Sequence, residues 1–163
     1  MTDDPLWKLS AAETAERTKT GEISAEAVTT AVLPRMNDVN PDLNAVVKSL
    51  DESAVERAQK LDTQRRRGEA LGALHGVPVT IKGNIDQIGE ATTNGVPALE
   101  NIIAEHNAPV VQNLLNAGAI VVGRTNTPEF SFRADTDNPL YGRTHNPWGR
   151  HVSAGGSSGG AGS

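Results

Sequence analysis

Two short aliphatic runs on either side of an amphipathic helix constrain this chain more than any other feature. Gly76 opens the run Val77-Pro78-Val79-Thr80-Ile81, which ends at Lys82, and Ala119-Ile120-Val121-Val122 is closed by Gly123-Arg124. Both are β-branched and bounded by glycine, the pattern of buried strands. Between them, residues 108–117 carry Val110, Val111, Leu114 and Leu115 at helical spacing, and Gly118 ends the helix. Strand, helix and strand at this spacing predict a βαβ unit, because parallel neighbours need a crossover of a dozen or more residues. The chain is therefore expected to build an α/β fold around a sheet. Its 163 residues are ample for a buried core and, taken alone, suggest one domain.

The segment before Gly76 is punctuated as helices. Ser10-Ala-Ala-Glu13 is a capping box opening a helix that ends near Gly21. Ser24 caps a second helix, with Ala27, Val28, Ala31 and Val32 on one face. Pro34 is expected to kink or divide it, and Asn40-Pro41-Asp42 reads as a turn before a short strand at 45–47. Ser53-Ala-Val-Glu56 is a second capping box, opening a helix that runs to Arg65-Arg66-Arg67 and stops at Gly68. Basic residues in a last turn complement the helix macrodipole, which explains the arginine run without a nucleic-acid partner. After Thr125 periodicity disappears. Residues 125–163 read as loops rich in Asn, Pro, Gly, Thr and Ser, a length that is usually functional or disordered.

Composition removes several classes. Zero cysteines exclude disulfide frameworks, thiolate zinc sites and cysteine nucleophiles. A net charge of −5 opposes general nucleic-acid binding, which needs clustered Lys and Arg. No run approaches a membrane span, and Met1-Thr-Asp-Asp-Pro5 lacks the features of a secretory signal, so a cytoplasmic location is expected. His75, His106, His145 and His151 form no ligand pair, so no metal site is expected, and His75 reads as a turn residue.

Two features could carry chemistry. Lys82 ends a buried strand, and lysine is rarely buried unless paired. It is either a strand-end lysine reaching solvent or a general base. The second role requires a neutral amine, and bringing a lysine to near neutrality is worth roughly 4 kcal/mol, which a desolvated pocket can supply. The other feature is Gly155-Gly-Ser-Ser-Gly-Gly160, inside a tail of five glycines and four serines over 153–163. Its composition fits a flexible linker, and its spacing matches neither phosphate-binding pattern. It also fits a loop whose backbone only glycine permits, presenting hydroxyls to a reaction centre.

The ordered set of motifs chooses between these readings. Gly72-Ala-Leu-His-Gly-Val-Pro-Val-Thr-Ile-Lys-Gly-Asn-Ile-Asp86, Gly123-Arg-Thr-Asn-Thr-Pro-Glu-Phe130, Asn146-Pro-Trp148 and Gly155-Gly-Ser-Ser-Gly-Gly160 together resemble the amidase signature family of serine amidohydrolases. The resemblance covers essentially the whole chain and implies an α/β/α sandwich around a mixed sheet, here its N-terminal part. It implies a Ser–cis-Ser–Lys triad in which Lys82 is the base and Ser157 the bridging serine after a cis peptide. Ser158 is then a supporting hydroxyl. Lys82 would accept a proton from Ser157, which accepts one from the nucleophile. Asn84, Asp86, Asn126 and Glu129 match family positions read as structural, and Gly83 stands where many members carry an acidic residue.

The family's nucleophile is a serine in a later Gly-Gly-Ser turn, and no serine here matches it; Ser163 lies too close to Ser157. The chain is therefore expected to be truncated, a single partial domain with a helical segment over about 6–68 and a sheet and active-site portion over about 69–163. The resemblance implies a small-molecule amide substrate, no cofactor and no direct nucleic-acid or membrane partner. The isolated fragment is expected to be inert, and a second copy or a missing C-terminal half are its candidate partners. The A-type component of the tRNA-dependent amidotransferase shares these motifs and stays open as an alternative. So does a non-catalytic binding role, since an unfinished sheet exposes an unpaired edge.

Overall fold

The computed structural model describes residues 5–163. Among these residues, five α-helices and three strands occur in the order α1 (Ala11–Thr20), α2 (Ala25–Leu43), β1 (Val46–Ser49), α3 (Asp51–Arg66), β2 (Pro78–Lys82), α4 (Pro109–Asn116), β3 (Ile120–Thr125) and α5 (Gly159–Gly162). The sheet order is β1-β3-β2. Backbone bonds from Ile120 to Val77 (2.8 Å) and from Gly83 to Thr125 (2.9 Å) rise together along both chains. The pair β2 and β3 is thus parallel, with α4 in its crossover, as the spacing predicts. β1 pairs β3 antiparallel, with Val46 opposite Thr125 and Ser49 opposite Gly123, which makes the sheet mixed.

The chain clusters into two compact units. The first holds residues up to Asp38, Leu50–Val79 and Gln112–Val122. Its core joins Ala25, Leu33, Ala54, Ala58, Leu61, Ile120 and Val122, with Met36 and Val55 packed against it. Ser10 accepts from the Glu13 amide while Glu13 accepts from the Ser10 amide, so the capping box forms, and Gly21 ends α1 in the left-handed region at φ 79°. Asp62, buried on α3, accepts from the amides of Ala25 (2.8 Å) and Glu26 (3.0 Å), so α3 caps the start of α2.

Several boundaries differ from the sequence reading. α2 runs unbroken through Pro34 and Pro41. Each proline is exposed, and the carbonyls it leaves without a donor, at Thr30 and Asn37, belong to exposed residues where water can serve them. The buried stripe Ala25, Val28, Thr29 and Leu33 holds the helix together. The turn falls at Asn44, which is left-handed at φ 51°, instead of at Asn40-Pro41-Asp42. Asn40 is the clasp there. Its Oδ1 accepts from Ala45 and Val46, and its Nδ2 donates to the Val46 carbonyl at 2.7 Å. The Ser53–Glu56 capping box does not form, because α3 begins at Asp51 and Ser53 donates instead to the Leu50 carbonyl. Leu50 is buried and its amide bonds the Val122 carbonyl, which fixes the earlier start.

The second unit holds Val39–Ser49, Thr80–Val111 and Gly123–Ser163. Here β3 continues past Val122 to Thr125 instead of closing at Gly123-Arg124. Arg124 is buried, donating to the Ile85 carbonyl (2.8 Å) and Gln87 Oε1 (3.1 Å). Residues 126–158 are irregular, as expected, apart from one 3-10 turn at Glu129–Ser131, and they are tied by buried polar side chains. Asn126 alone makes four bonds, to Gly142 O, Thr144 Oγ1, Asn138 Nδ2 and the Thr127 amide. The Gly/Ser tail, read as loop, contains the single-turn helix α5.

Candidate active site

β2 delivers Lys82 at its C-terminal end, and the glycine-rich loop before α5 delivers two serines to it. Lys82 Nζ donates to Ser157 Oγ at 2.8 Å and to Ser158 Oγ at 3.3 Å. All three residues singled out in the sequence are therefore together, although Lys82 and Ser157 lie 75 positions apart. Lys82 and Ser157 are half-buried and Ser158 is exposed. Burial pushes the Lys82 amine below its ordinary value, because desolvation disfavours the ammonium form. A lysine that deprotonates more readily, in contact with a hydroxyl, can exchange a proton with it. The Gly156–Ser157 peptide is cis.

Close approach explains the glycines of the loop. A Cβ on Gly156 would meet the Arg133 carbonyl oxygen at 2.5 Å, and one on Gly160 would meet the Asn126 amide nitrogen at 2.5 Å and the Ala45 oxygen at 2.7 Å. One on Gly159 would strike the Thr136 hydroxyl. The linker reading of this tail fails on these contacts, since a linker has no need to pack. Gly83 is less tightly enclosed. A Cβ there would lie 3.2 Å from the Thr125 carbonyl oxygen, so a side chain at that position asks that oxygen to give by a few tenths of an ångström.

The neighbouring family positions sit in loop-holding contacts. Asn84 Nδ2 donates to Ser131 Oγ (3.0 Å), Asp86 accepts from Thr92, and Glu129 lies 3.7 Å from Arg133. Phe130 and Ser131 are both left-handed, at φ 48° and 61°, and the Phe130 amide bonds the Asn94 carbonyl. Sequence reasoning missed Ser131, Thr136 and Asn138 near the serine loop. They are isolated polar residues in a segment without periodicity, and only their placement in the fold marks them. His75 is a buried turn residue. Among the described residues no group of three or more His, Asp or Glu could hold a metal ion. Nor is any described helix long and apolar enough to cross a membrane.

A lysine amine is thus set against paired serine hydroxyls at the end of a strand in the mixed sheet of an α/β protein. The chain belongs to the amidase family, whose model, described as Amidase, matches residues 27–163. It is 56% identical over 159 residues to an indoleacetamide hydrolase of Bradyrhizobium diazoefficiens, covering 98% of this chain and 30% of that protein. It is 40% identical over 156 residues to the A-type component of a glutamyl-tRNA(Gln) amidotransferase of Caldanaerobacter subterraneus subsp. tengcongensis, covering 96% of this chain and 32% of the relative. A crystal structure of a bacterial aryl acylamidase of the amidase signature family superposes with a TM-score of 0.91 at 34% identity, covering 97% of this chain and 33% of the other. The chain thus spans about a third of the length of the proteins it matches.

Proposed function

We propose that these residues form the N-terminal part of an amidohydrolase that cleaves a carboxamide C–N bond through an acyl-serine. The observation that carries the reading is the 2.8 Å contact between Lys82 Nζ and Ser157 Oγ, with the amine's pKa held down by burial. In the proposed relay, neutral Lys82 takes a proton from Ser157, which takes one from an attacking serine hydroxyl as that oxygen bonds the amide carbon. The proton returns along the same path to the leaving nitrogen, releasing amine or ammonia. Water then attacks the ester and regenerates the serine. Ser158, 3.3 Å from the amine, supports the alignment of Lys82. In this reading the attacking serine lies in the remaining two-thirds of the family's length, and the site needs no cofactor.

The 56% identity to an indoleacetamide hydrolase, against 40% to the amidotransferase component, favours a free amidase acting on a small aryl-substituted primary amide. The test is ammonia release by the full-length gene product. Indole-3-acetamide should be hydrolysed without ATP or tRNA, and Lys82→Met should abolish the reaction. Ammonia from glutamine that depends on a partner protein, with none from the aryl amide, would instead establish the amidotransferase reading. The 163-residue chain should not be labelled by a fluorophosphonate. Labelling that is lost in Ser157→Ala would overturn the assignment of Ser157 as a bridge.

A further inference from the structure

The loop that carries Ser157 and Ser158 is held by one side chain that no motif singles out. Thr136 is fully buried. Its Oγ1 donates to the Gly155 carbonyl at 2.9 Å and accepts from the Gly159 amide at 3.0 Å. One hydroxyl thereby joins the two ends of the segment 155–159 and closes it into a small ring, with both serines on the part facing Lys82. We propose that Thr136 is the positioning residue of the site, fixing where Ser157 and Ser158 stand relative to the Lys82 amine. The proposal rests on the reading of Lys82 and Ser157 given above.

Three observations converge on it. First, the hydroxyl gives one proton and receives one, in a place that water cannot reach. Removing it leaves both a carbonyl and a buried N–H without a partner, because the loop's own hydroxyls, on Ser157 and Ser158, are turned to Lys82. Second, threonine is the stiffest carrier of an aliphatic hydroxyl, because its branched Cβ restricts χ1, so the clamp is fixed in direction as well as distance. Third, the loop is shaped around it. Gly159 has no room for a Cβ against the Thr136 side chain, and the backbone of residues 133–135 presses on Gly156. The residue before Thr136 belongs to the same support. Asp135 accepts from Ser153 Oγ, which in turn accepts from the Gly155 amide at 2.9 Å, and Arg143 anchors Asp135 at 2.9 Å. The stretch 133–136 is thus the backing against which the serine loop is set, and Thr136 ties directly to both of its ends.

The test compares Thr136→Val, which keeps the shape and deletes the hydroxyl, with Thr136→Ser, which keeps the hydroxyl. Two quantities are followed by NMR in the 163-residue chain: hydrogen exchange of the Gly159 amide, and the titration of the Lys82 side chain. In Thr136→Val the Gly159 amide should exchange about tenfold faster. The Lys82 titration should move back toward the ordinary lysine value, as the serines withdraw and water enters. Thr136→Ser should match the unsubstituted chain in both. A Thr136→Val chain that is less stable yet leaves Lys82 titrating as before would overturn the proposal, since a merely structural threonine behaves that way. If Thr136→Val does not fold, the unsubstituted chain decides: a Gly159 amide exchanging as fast as an open-chain glycine would show that no hydroxyl holds it. An ordinary Lys82 titration in the unsubstituted chain would contradict the functional reading instead, while the Gly159 exchange would still judge the clamp.

Discussion

Replacing Asn126 by aspartate tests the polar network that holds the second unit, with almost no change of shape. The native amide is completely used. Its Nδ2 donates to Gly142 O and Thr144 Oγ1, both at 3.0 Å, and its Oδ1 accepts from Asn138 Nδ2 at 2.7 Å and from the Thr127 amide at 3.0 Å. The aspartate carboxylate keeps the two accepted bonds and strengthens them by its charge, a gain of about 1 kcal/mol in total. It loses both donated bonds. Gly142 O would face an anion, and Thr144 Oγ1 cannot turn to donate because its proton is committed to Asn44 O at 2.7 Å. Two unmade bonds at about 1–3 kcal/mol each, plus desolvation of a buried carboxylate, outweigh that gain. The net loss is on the order of 3 kcal/mol at pH 7.

The loss should also depend on pH. Burial raises the new carboxyl's pKa in the folded state above its unfolded value, so the folded state holds its proton over a wider range. Once protonated, the group can donate to Gly142 O. The deficit relative to the unsubstituted chain should therefore shrink as pH falls from about 7 to about 5. The assay is urea unfolding at both pH values, followed by far-UV circular dichroism, with the two chains in parallel and equal slopes required. A loss below about 1 kcal/mol, or one that grows on acidification, would refute the reasoning that this amide is an irreplaceable donor.

Other expectations follow from the same contacts. Asp62→Ala should destabilise the chain by about 2–4 kcal/mol in urea unfolding, because two amides at the start of α2 lose their acceptor. His75 is buried with its Nε2 unpartnered, and desolvation holds its pKa below the ordinary imidazole value, opposed by Asp62. The unfolded state then binds the proton more readily, so stability is complete above the ordinary imidazole range and falls as pH drops through it. A His75→Gln chain should lack that slope in thermal melts at stepped pH. Gly160→Ala should unfold at markedly lower urea concentration, since its Cβ meets fixed backbone. Gly162→Ala, with open space around it, should be unchanged or up to about 1 kcal/mol more stable.

Local chemistry was legible wherever neighbours in the chain decide the outcome. The Ser10–Glu13 box, the glycine stops at Gly21 and Gly68, and the parallel pair flanking α4 all follow from residues a few positions apart. The site was legible through motif order, which placed Lys82 and Ser157 together across 75 residues; periodicity alone had left both open. What escaped was set by tertiary contact. Two prolines sit inside α2 because a buried face outweighs two missing backbone bonds of exposed residues, a balance that no local signal displays. Arg124 looks like a strand terminator in sequence and is instead a buried strand residue, because Ile85 and Gln87 arrive from another segment to meet it. Likewise Thr136, Asn138 and Thr144 are unremarkable polar letters until the loops fold around them.

The measurement that bears most directly on the account is the titration of the Lys82 side chain in the 163-residue chain. The sequence has only five lysines, so isotope-edited NMR of their terminal groups can resolve each one, with Lys82→Met assigning the signal. The contact with Ser157 and the burial of the amine predict that Lys82 loses its proton at a lower pH than an ordinary lysine side chain, and that its signal moves in Ser157→Ala. A Lys82 that titrates at the ordinary lysine value and ignores the serine substitution would contradict the claim that these two residues form one acid–base unit.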